Sequence, residues 1–390
     1  MTLEPASPAH GVPPAGSPSL LWSINARAVL DIVARLAPVA RPEIRRASGL
    51  SKTAVAQTLA ELERRGIVVV AGHDSDRRGP VATLYALDER YRVAAAVDVG
   101  HHRVRAVLVG TTGEVLARAD APAEHSSAAA TAAEVAAVIE RCCATAGLAL
   151  ADLAGAVVGV AATVTASGAL LLADGLADEG RGLPEALAAA LPFAVTLEND
   201  TNLAAIAEQR VGAARELSDF VLLSVGASVG AGIVIGGRVH RGTRGAAGEV
   251  NYLPGRDDVV DGTLGSASVA ADAAEEGLPS TLSARDVFER ARTGDAAALR
   301  VVDRTAARLA RVIATLGLVL DPEAVILGGA IGGNGDLLTG PVADRLADAF
   351  PHAGVAVLTA TAGEDAVLDG AASLAAQLAR SAAFDAATAV

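Results

Sequence analysis

Aromatic side chains are nearly missing from this chain, making up 2% of its 390 residues. A core without large rings has to be closed by small side chains. Apolar residues are 52% of the chain, much of that share alanine, so a helix-rich protein with close packing is expected. Cysteine is almost absent too. The only two, Cys142 and Cys143, are adjacent, which excludes a disulfide framework and a tetrahedral metal site. They read as small apolar residues on a helix in a reducing cytosol. No uninterrupted apolar run reaches membrane-spanning length, so no membrane partner is expected. Met1 to Ser19 is rich in Pro, Ala and Gly and lacks the basic-then-apolar order of a signal peptide. Residues 1–20 therefore read as a disordered leader, and the protein as cytoplasmic.

Positive charge is scarce. The formal net charge is −13, which at first argues against nucleic acid. Its distribution argues otherwise. Residues 1–90 carry 11 basic and 9 acidic side chains, while the remainder is strongly acidic. The only lysine, Lys52, lies in the N-terminal part. Only that part can approach phosphate without strong repulsion.

Residues 21–90 have the punctuation of a winged helix-turn-helix. Val29, Ile32, Val33 and Leu36 form an i, i+3, i+4, i+7 stripe, predicting a helix over 24–36 that Pro38 ends. Pro42 opens a short second helix that stops at Gly49. Ser51 caps a third helix running to about Arg65, with Val55, Leu59 and Leu62 on its buried face. Ile67 to Val70 and Val81 to Leu87 read as strands around a polar loop, 71–80, that holds Arg77 and Arg78. Ser51, Lys52 and Thr53 occupy the positive end of the third helix, and Gln57 lies one turn on along the exposed face. These four are the candidate contacts to phosphates and base edges of double-stranded operator DNA. Arg77 and Arg78 at the wing tip are candidates for phosphate or a minor groove.

After Tyr91 the pattern becomes α/β. Val93 to Val97, Val104 to Val109 and Glu114 to Ala119 read as strands around Asp98-Val99-Gly100 and Gly110-Thr111-Thr112-Gly113. A similar set recurs about 125 residues later, at Phe220 to Val225, Gly232 to Ile235 and Val239 to Arg241. Helical stretches rich in Ala and Leu follow each set. Two such copies predict a duplicated body with a central cleft, a natural ligand site.

Several motifs in this order carry a family resemblance: Glu198-Asn199-Asp200, Gly226 to Gly232, Arg241-Gly242, Ala247-Gly248-Glu249, and Ala324 to Gly329 preceded by Pro322. Together with the winged helix they resemble the ROK family of repressors, open reading frames and sugar kinases, over nearly all of residues 24–380. The resemblance implies an actin-like, ribonuclease-H-like ATPase fold. It implies a first subdomain over 91–196 with a C-terminal helix at about 370–390 packing back on it, and a second over 197–369. It also implies a homodimer or a dimer of dimers.

Departures from the family pattern point to its regulators. Kinase members carry an Asp-x-Gly-Gly-Thr-Lys phosphate loop, and here it reads Asp98-Val99-Gly100-His101-His102-Arg103. The second loop, usually Gly-Thr-Gly-x-Gly-Ala-Gly, reads Gly226-Ala227-Ser228-Val229-Gly230-Ala231-Gly232. Added Cβ atoms obstruct backbone approach and lost hydroxyls remove donors, and phosphoryl transfer depends on both. No catalytic residue and no cofactor are therefore expected. The family's zinc ligands are replaced as well. Its His is Tyr252, and its Cys-rich run is Val259-Val260-Asp261-Gly262-Thr263-Leu264-Gly265-Ser266, so no metal is expected. The sugar site is half-kept. Asn199, Asp200 and Glu249 would face a sugar-like effector, but Ala161-Ala162 replaces a usual Pro-Gly and Ser268 a usual Glu. Asn199 and Asp200 could instead cap the helix over Asn202 to Gln209. The expectation is a transcriptional regulator, a repressor of carbohydrate-related genes, with a sugar kinase carrying an N-terminal appendage as the alternative.

Overall fold

The computed structural model describes residues 18–74, 82–171, 173, 175–253, 264–352 and 354–388. The chain divides into two compact units. The first is Met1–Ala94 with Val109–Leu116 and Ala376–Val390, and the second is Ala95–Leu108 with Ala117–Ala375.

The first unit is built on three helices, α1 (Pro18–Leu36), α2 (Arg41–Ser48) and α3 (Lys52–Arg64). A three-stranded sheet joins them, of β1 (Val39–Ala40), β2 (Val68–Asp74) and β3 (Ala82–Leu87) in the order β1-β3-β2. Gly49 ends α2 in the left-handed region, φ 69°, where a side chain would be strained. Ser51 Oγ accepts the Ala54 N–H at 3.1 Å and so caps α3. Val29, Val33, Ile44, Leu59, Leu62 and Tyr85 are buried in one core.

Two expectations need correction here. The stripe over 24–36 underestimates α1, which begins at Pro18. Trp22 extends the packed face, and its indole N–H donates to the Ala387 carbonyl at 3.1 Å, a partner 365 residues away that no local pattern reveals. Strand β2 does not stop at Val70. A bulge between Val70 and Gly72 lets it pair on to Asp74, so residues 71–74 of the expected polar loop are strand. Arg77 and Arg78 lie outside the described residues.

The second unit contains most of a sheet of β4 (Val93–Gly100), β5 (Arg103–Val109), β6 (Val115–Pro122), β7 (Leu153–Val160) and β10 (Val195–Asn199), in the order β10-β7-β4-β5-β6. Helices α4 (Ala128–Ala146) and α5 (Leu183–Ala190) and the small hairpin β8 (Thr163–Val164) with β9 (Leu170–Leu171) accompany it. Cys142 and Cys143 are buried on α4 as expected. Helix α6 (Asp200–Val211) leads to a second sheet of β11 (Phe220–Val225), β12 (Val229–Ile235), β13 (Arg238–Val239), β14 (Ala324–Gly328) and β15 (Ala356–Thr359). Its order, β13-β12-β11-β14-β15, repeats that of the first sheet strand for strand. The duplication expected from the sequence is thus a repeated topology. Helices α7 (Ser266–Glu275), α8 (Ala284–Arg292), α9 (Ala296–Leu320), α10 (Gly329–Gly332) and α11 (Gly335–Ala349) belong with this sheet. Val301, Leu309 and Ile313 of α9 share a core with Val221, Leu223 and Leu327.

The last helix, α12 (Ala366–Thr388), is divided. The sequence reading assigns about 370–390 to the first half of the body. The helix belongs to the second unit, which holds residues of both halves of the body, through Ala375 and to the first unit from Ala376 on, where Phe384 and Ala387 join the winged-helix core. No helix among the described residues is long and apolar enough to cross a membrane.

Candidate DNA-binding and ligand sites

Helices α2 and α3 present a basic exposed face in the first unit. Ser51, Lys52, Thr53 and Gln57 are all exposed at the start of α3. Arg45 and Arg46 on α2, not singled out in the sequence, are exposed as well. Neither these two arginines nor Lys52 has a carboxylate within salt-bridge distance among the described residues. Their neighbours contrast with them. Arg64 and Arg65 are both bound by Glu61, which holds the Glu61 carboxyl down to about 2, and Arg65 also stacks on Trp22 at 5.4 Å. Arg41 stacks on Tyr85 at 5.2 Å. Arg45, Arg46 and Lys52 thus have no carboxylate partner among the described residues, whereas Arg41, Arg64 and Arg65 are committed to the unit's own structure.

The segment matching the phosphate loop lies in the second unit. Asp98, on β4, is buried and is gripped by Arg105 from β5, with Nε at 3.0 Å and Nη2 at 2.6 Å. Burial pushes the Asp98 carboxyl up, and the Arg105 guanidinium pulls it partly back. Arg105 Nη1 also reaches Asp365 at 2.5 Å, and Arg118 holds the other Asp365 oxygen at 2.6 Å. Arg103 pairs with Asp120. Every arginine of this loop region is thus neutralised within the protein. His101 and His102 are exposed, and His101 lies against Gly175, where an added Cβ would come within 2.7 Å of its ring. Among the described residues no group of three or more His, Cys, Asp or Glu is placed to hold a metal.

The second glycine segment has a packing role that its motif does not reveal. A Cβ on Gly232 would lie 2.7 Å from Ala205 and from the Thr201 carbonyl, and one on Gly230 would lie 3.0 Å from Thr201 Oγ1. These glycines let α6 pack directly on β12.

A cavity of about 390 Å³ holds the candidate ligand residues Asn199, Asp200 and Glu249 together. Asn199 caps α6, its Oδ1 accepting the Asn202 N–H at 3.0 Å, and its amide donates to the Ala162 carbonyl at 3.0 Å. The capping role weighed from sequence is therefore real for Asn199. Asp200 begins the helix, and one carboxylate oxygen accepts from the Thr201 N–H at 2.6 Å and from the Thr201 hydroxyl. Burial pushes Asp200 up to about 6, Thr201 pulls it back, Asp98 adds to the rise and His101 opposes it. Glu249 accepts from the Thr163 hydroxyl. Gly248 before it is obligatory, because at φ 94° a Cβ would lie 1.8 Å from the Ala231 carbonyl.

Behind these residues Glu198 is buried, accepting from Asn202 Nδ2 at 3.0 Å and from Arg241 Nε at 2.7 Å. It ties the Arg241-Gly242 loop to α6. Asn251 and Tyr252 also line the cavity, and Tyr252, at the position of the family's His, offers a phenol where zinc would need an imidazole. Of the rest of that run, Val259 to Thr263 lies outside the described residues. Ser268 turns its hydroxyl to the Gly265 carbonyl at 2.9 Å.

The sequence pattern of the ROK family matches residues 94–378, and that of the MarR family matches 23–79. The chain is 33% identical over 200 residues to a glucokinase of Halalkalibacterium halodurans, covering 44% of this chain and 60% of that enzyme. It is 35% identical over 200 residues to the bifunctional enzyme NanE/NanK of Brucella suis, covering 49% of this chain and 36% of that one. These matches thus span less than two thirds of the enzymes' own length. A candidate xylose repressor of Caldicellulosiruptor sp. is 25% identical over 346 residues, covering 83% of this chain and 87% of that protein. Among solved structures, a ROK family transcriptional regulator, homologous to the E. coli MLC protein, superposes with TM-score 0.76 at 20% identity. It covers 94% of this chain and 99% of that one. A Streptomyces griseus ROK glucokinase in complex with glucose and AMPPNP superposes with TM-score 0.60 at 23% identity, covering 73% of this chain and 99% of that one. At these identities the structures establish a shared fold: a MarR-like winged helix and an actin-like ROK body.

Proposed function

Since the chain belongs to the ROK family, we propose that it is one of that family's DNA-binding transcriptional regulators, acting as a repressor of carbohydrate-related genes. The observation that carries this reading is the free basic face of α2 and α3 in a chain of net charge −13. Unpaired cations beside a capped helix N-terminus suit a phosphate backbone, with Gln57 one turn on for a base edge. Arg45 and Arg46 join Ser51, Lys52, Thr53 and Gln57 as contacts. A homodimer places two such faces on a pseudo-palindrome, with half-sites about 10 base pairs apart or a multiple of that. The cavity with Asp200 and Glu249 holds a sugar-like effector that shifts DNA affinity by preferring one conformation of the body. The protein is cytoplasmic and carries no zinc. Elemental analysis of purified protein checks the last point, and stoichiometric zinc contradicts it.

Sequencing DNA fragments that co-purify with the full chain tests the main claim. Enrichment of one pseudo-palindromic site is expected, and recovery of unselected fragments overturns it. The kinase identities above favour a second reading, a sugar kinase with an N-terminal appendage. Against it stands Asp98, already neutralised by Arg105 where a kinase would meet charged phosphate and metal. No ATP consumption with hexoses or amino sugars is expected, and turnover would establish the kinase.

A further inference from the structure

The turn joining β5 to β6, residues 110–113, belongs to the first unit with the winged helix, while most of both strands belongs to the second. A turn that only closes a hairpin is solvated and loosely held. This one is gripped from two sides. Thr111 is buried, and its hydroxyl donates to the Asp88 carbonyl at 3.1 Å. The Thr112 N–H donates to Glu89 Oε2 at 3.0 Å. Gly110 lies so close to the end of the winged helix that a Cβ there would fall 2.3 Å from the Glu89 carbonyl oxygen and from its Oε2. From the other side, Arg380 of α12 donates through Nη1 to the Thr111 carbonyl at 2.8 Å.

Both grips lead on to the C-terminal end of α3. The Asp88 N–H donates to the Ile67 carbonyl at 3.0 Å, and the Ile67 N–H donates to the Leu62 carbonyl in the last turn of α3 at 2.9 Å. On α12, two turns beyond Arg380, the Ala387 carbonyl accepts from Arg65 Nη1 at 3.1 Å. Arg65 is the C-cap residue of α3. The same carbonyl accepts the Trp22 indole of α1 at 3.1 Å. Thr111 thus stands at the head of two short chains of hydrogen bonds and helix, and each ends on the helix whose other end carries Ser51, Lys52 and Thr53.

From this we infer that the turn 110–113 is a regulatory relay that sets the position of α3, with Thr111 and Arg380 as its positioning residues. The inference rests on the DNA-binding reading above and adds the route by which the winged helix is controlled. Strands β5 and β6 run unbroken from the turn into the second unit, so a shift along them reaches the turn as a rigid displacement. Coupling of this kind is reciprocal: DNA that holds α3 also restrains the strands.

Hydrogen exchange of the full chain, free and saturated with the recovered operator, tests this, with binding first measured by fluorescence anisotropy. In the parent, DNA is expected to slow exchange in α3 and also in the second-unit parts of the strands, residues 103–108 and 117–122, by at least about 5-fold. In the Thr111→Val/Arg380→Gln variant α3 is still slowed and the strands lose the effect. Thr111→Ser, which keeps the hydroxyl, retains it. Strands that do not respond to DNA in the parent overturn the inference without recourse to any variant. So does a Thr111→Val/Arg380→Gln variant that melts like the parent and slows its strands in full. In both cases α3 still responds to DNA, and the DNA-binding reading stands. A parent that binds no recovered site overturns that reading and the inference with it.

Discussion

Two places in this protein could meet phosphate, and they treat their cations in opposite ways. On α2 and α3, Arg45, Arg46 and Lys52 are exposed and hold no carboxylate among the described residues. Around the loop at Asp98, Arg103, Arg105 and Arg118 are bound to Asp120, Asp98 and Asp365. A cation already paired inside the fold has little left for a ligand anion. A free one in an acidic chain is available to a polyanion. The contrast favours the winged helix over the loop at Asp98 as the place that meets phosphate.

Removing a pair from the closed place should have the largest effect on the fold. Arg105→Ala leaves Asp98, whose side chain is 9% exposed, without its guanidinium. A loss of about 3 kcal/mol at neutral pH is expected in thermal or denaturant unfolding. The loss shrinks toward acid pH, because burial already raises Asp98 and the freed carboxyl takes up a proton. A change below about 0.5 kcal/mol would mean that the lock contributes little and the comparison is false.

A smaller effect of opposite sign is expected at Asp200. Its carboxyl titrates at about 6 in the folded protein against 3.8 for the free group. The folded state therefore binds the extra proton between those values, and stability falls as pH rises through that window. Asp200→Asn should stabilise the protein by about 2 kcal/mol above pH 7 and by nothing below about pH 4. A gain independent of pH would contradict the raised titration of Asp200. The smallest effect is expected at the cap. Ser51→Ala should cost about 1 kcal/mol in the winged helix, Ser51→Asp should recover most of it, and equal losses in both would deny the cap its role.

The two regions also differ in how far the sequence revealed them. The winged helix follows local rules. Gly49, Ser51 and Gly66 mark helix ends within a few residues, so α2 and α3 were legible nearly to the residue. Its free arginines were not, because being unpaired is a statement about every carboxylate in the fold. The start of α1 was missed for the same reason, since Trp22 rests on Ala387 from the far end of the chain. In the body, the repeated strand pattern predicted the repeated sheet. The loss of glycine and threonine at His101 and His102 marked the phosphate loop as altered. That Arg105 closes it needed the structure, because Asp365 is 260 residues away. Asn199 was legible as a cap, and the geometry puts both its amide atoms on backbone partners. Asn251 carried no signal, since an acceptor unpaired among the described residues cannot be read from residue order.

The salt dependence of DNA binding tests the assignment of phosphate recognition most directly. The full chain and its Arg45→Ala/Arg46→Ala/Lys52→Ala variant would be titrated by fluorescence anisotropy against the recovered operator at several salt concentrations. Three lost phosphate contacts should flatten the slope of log K against log salt by roughly 2.7. A variant with the parent's slope and affinity would show that DNA, if bound, is met elsewhere.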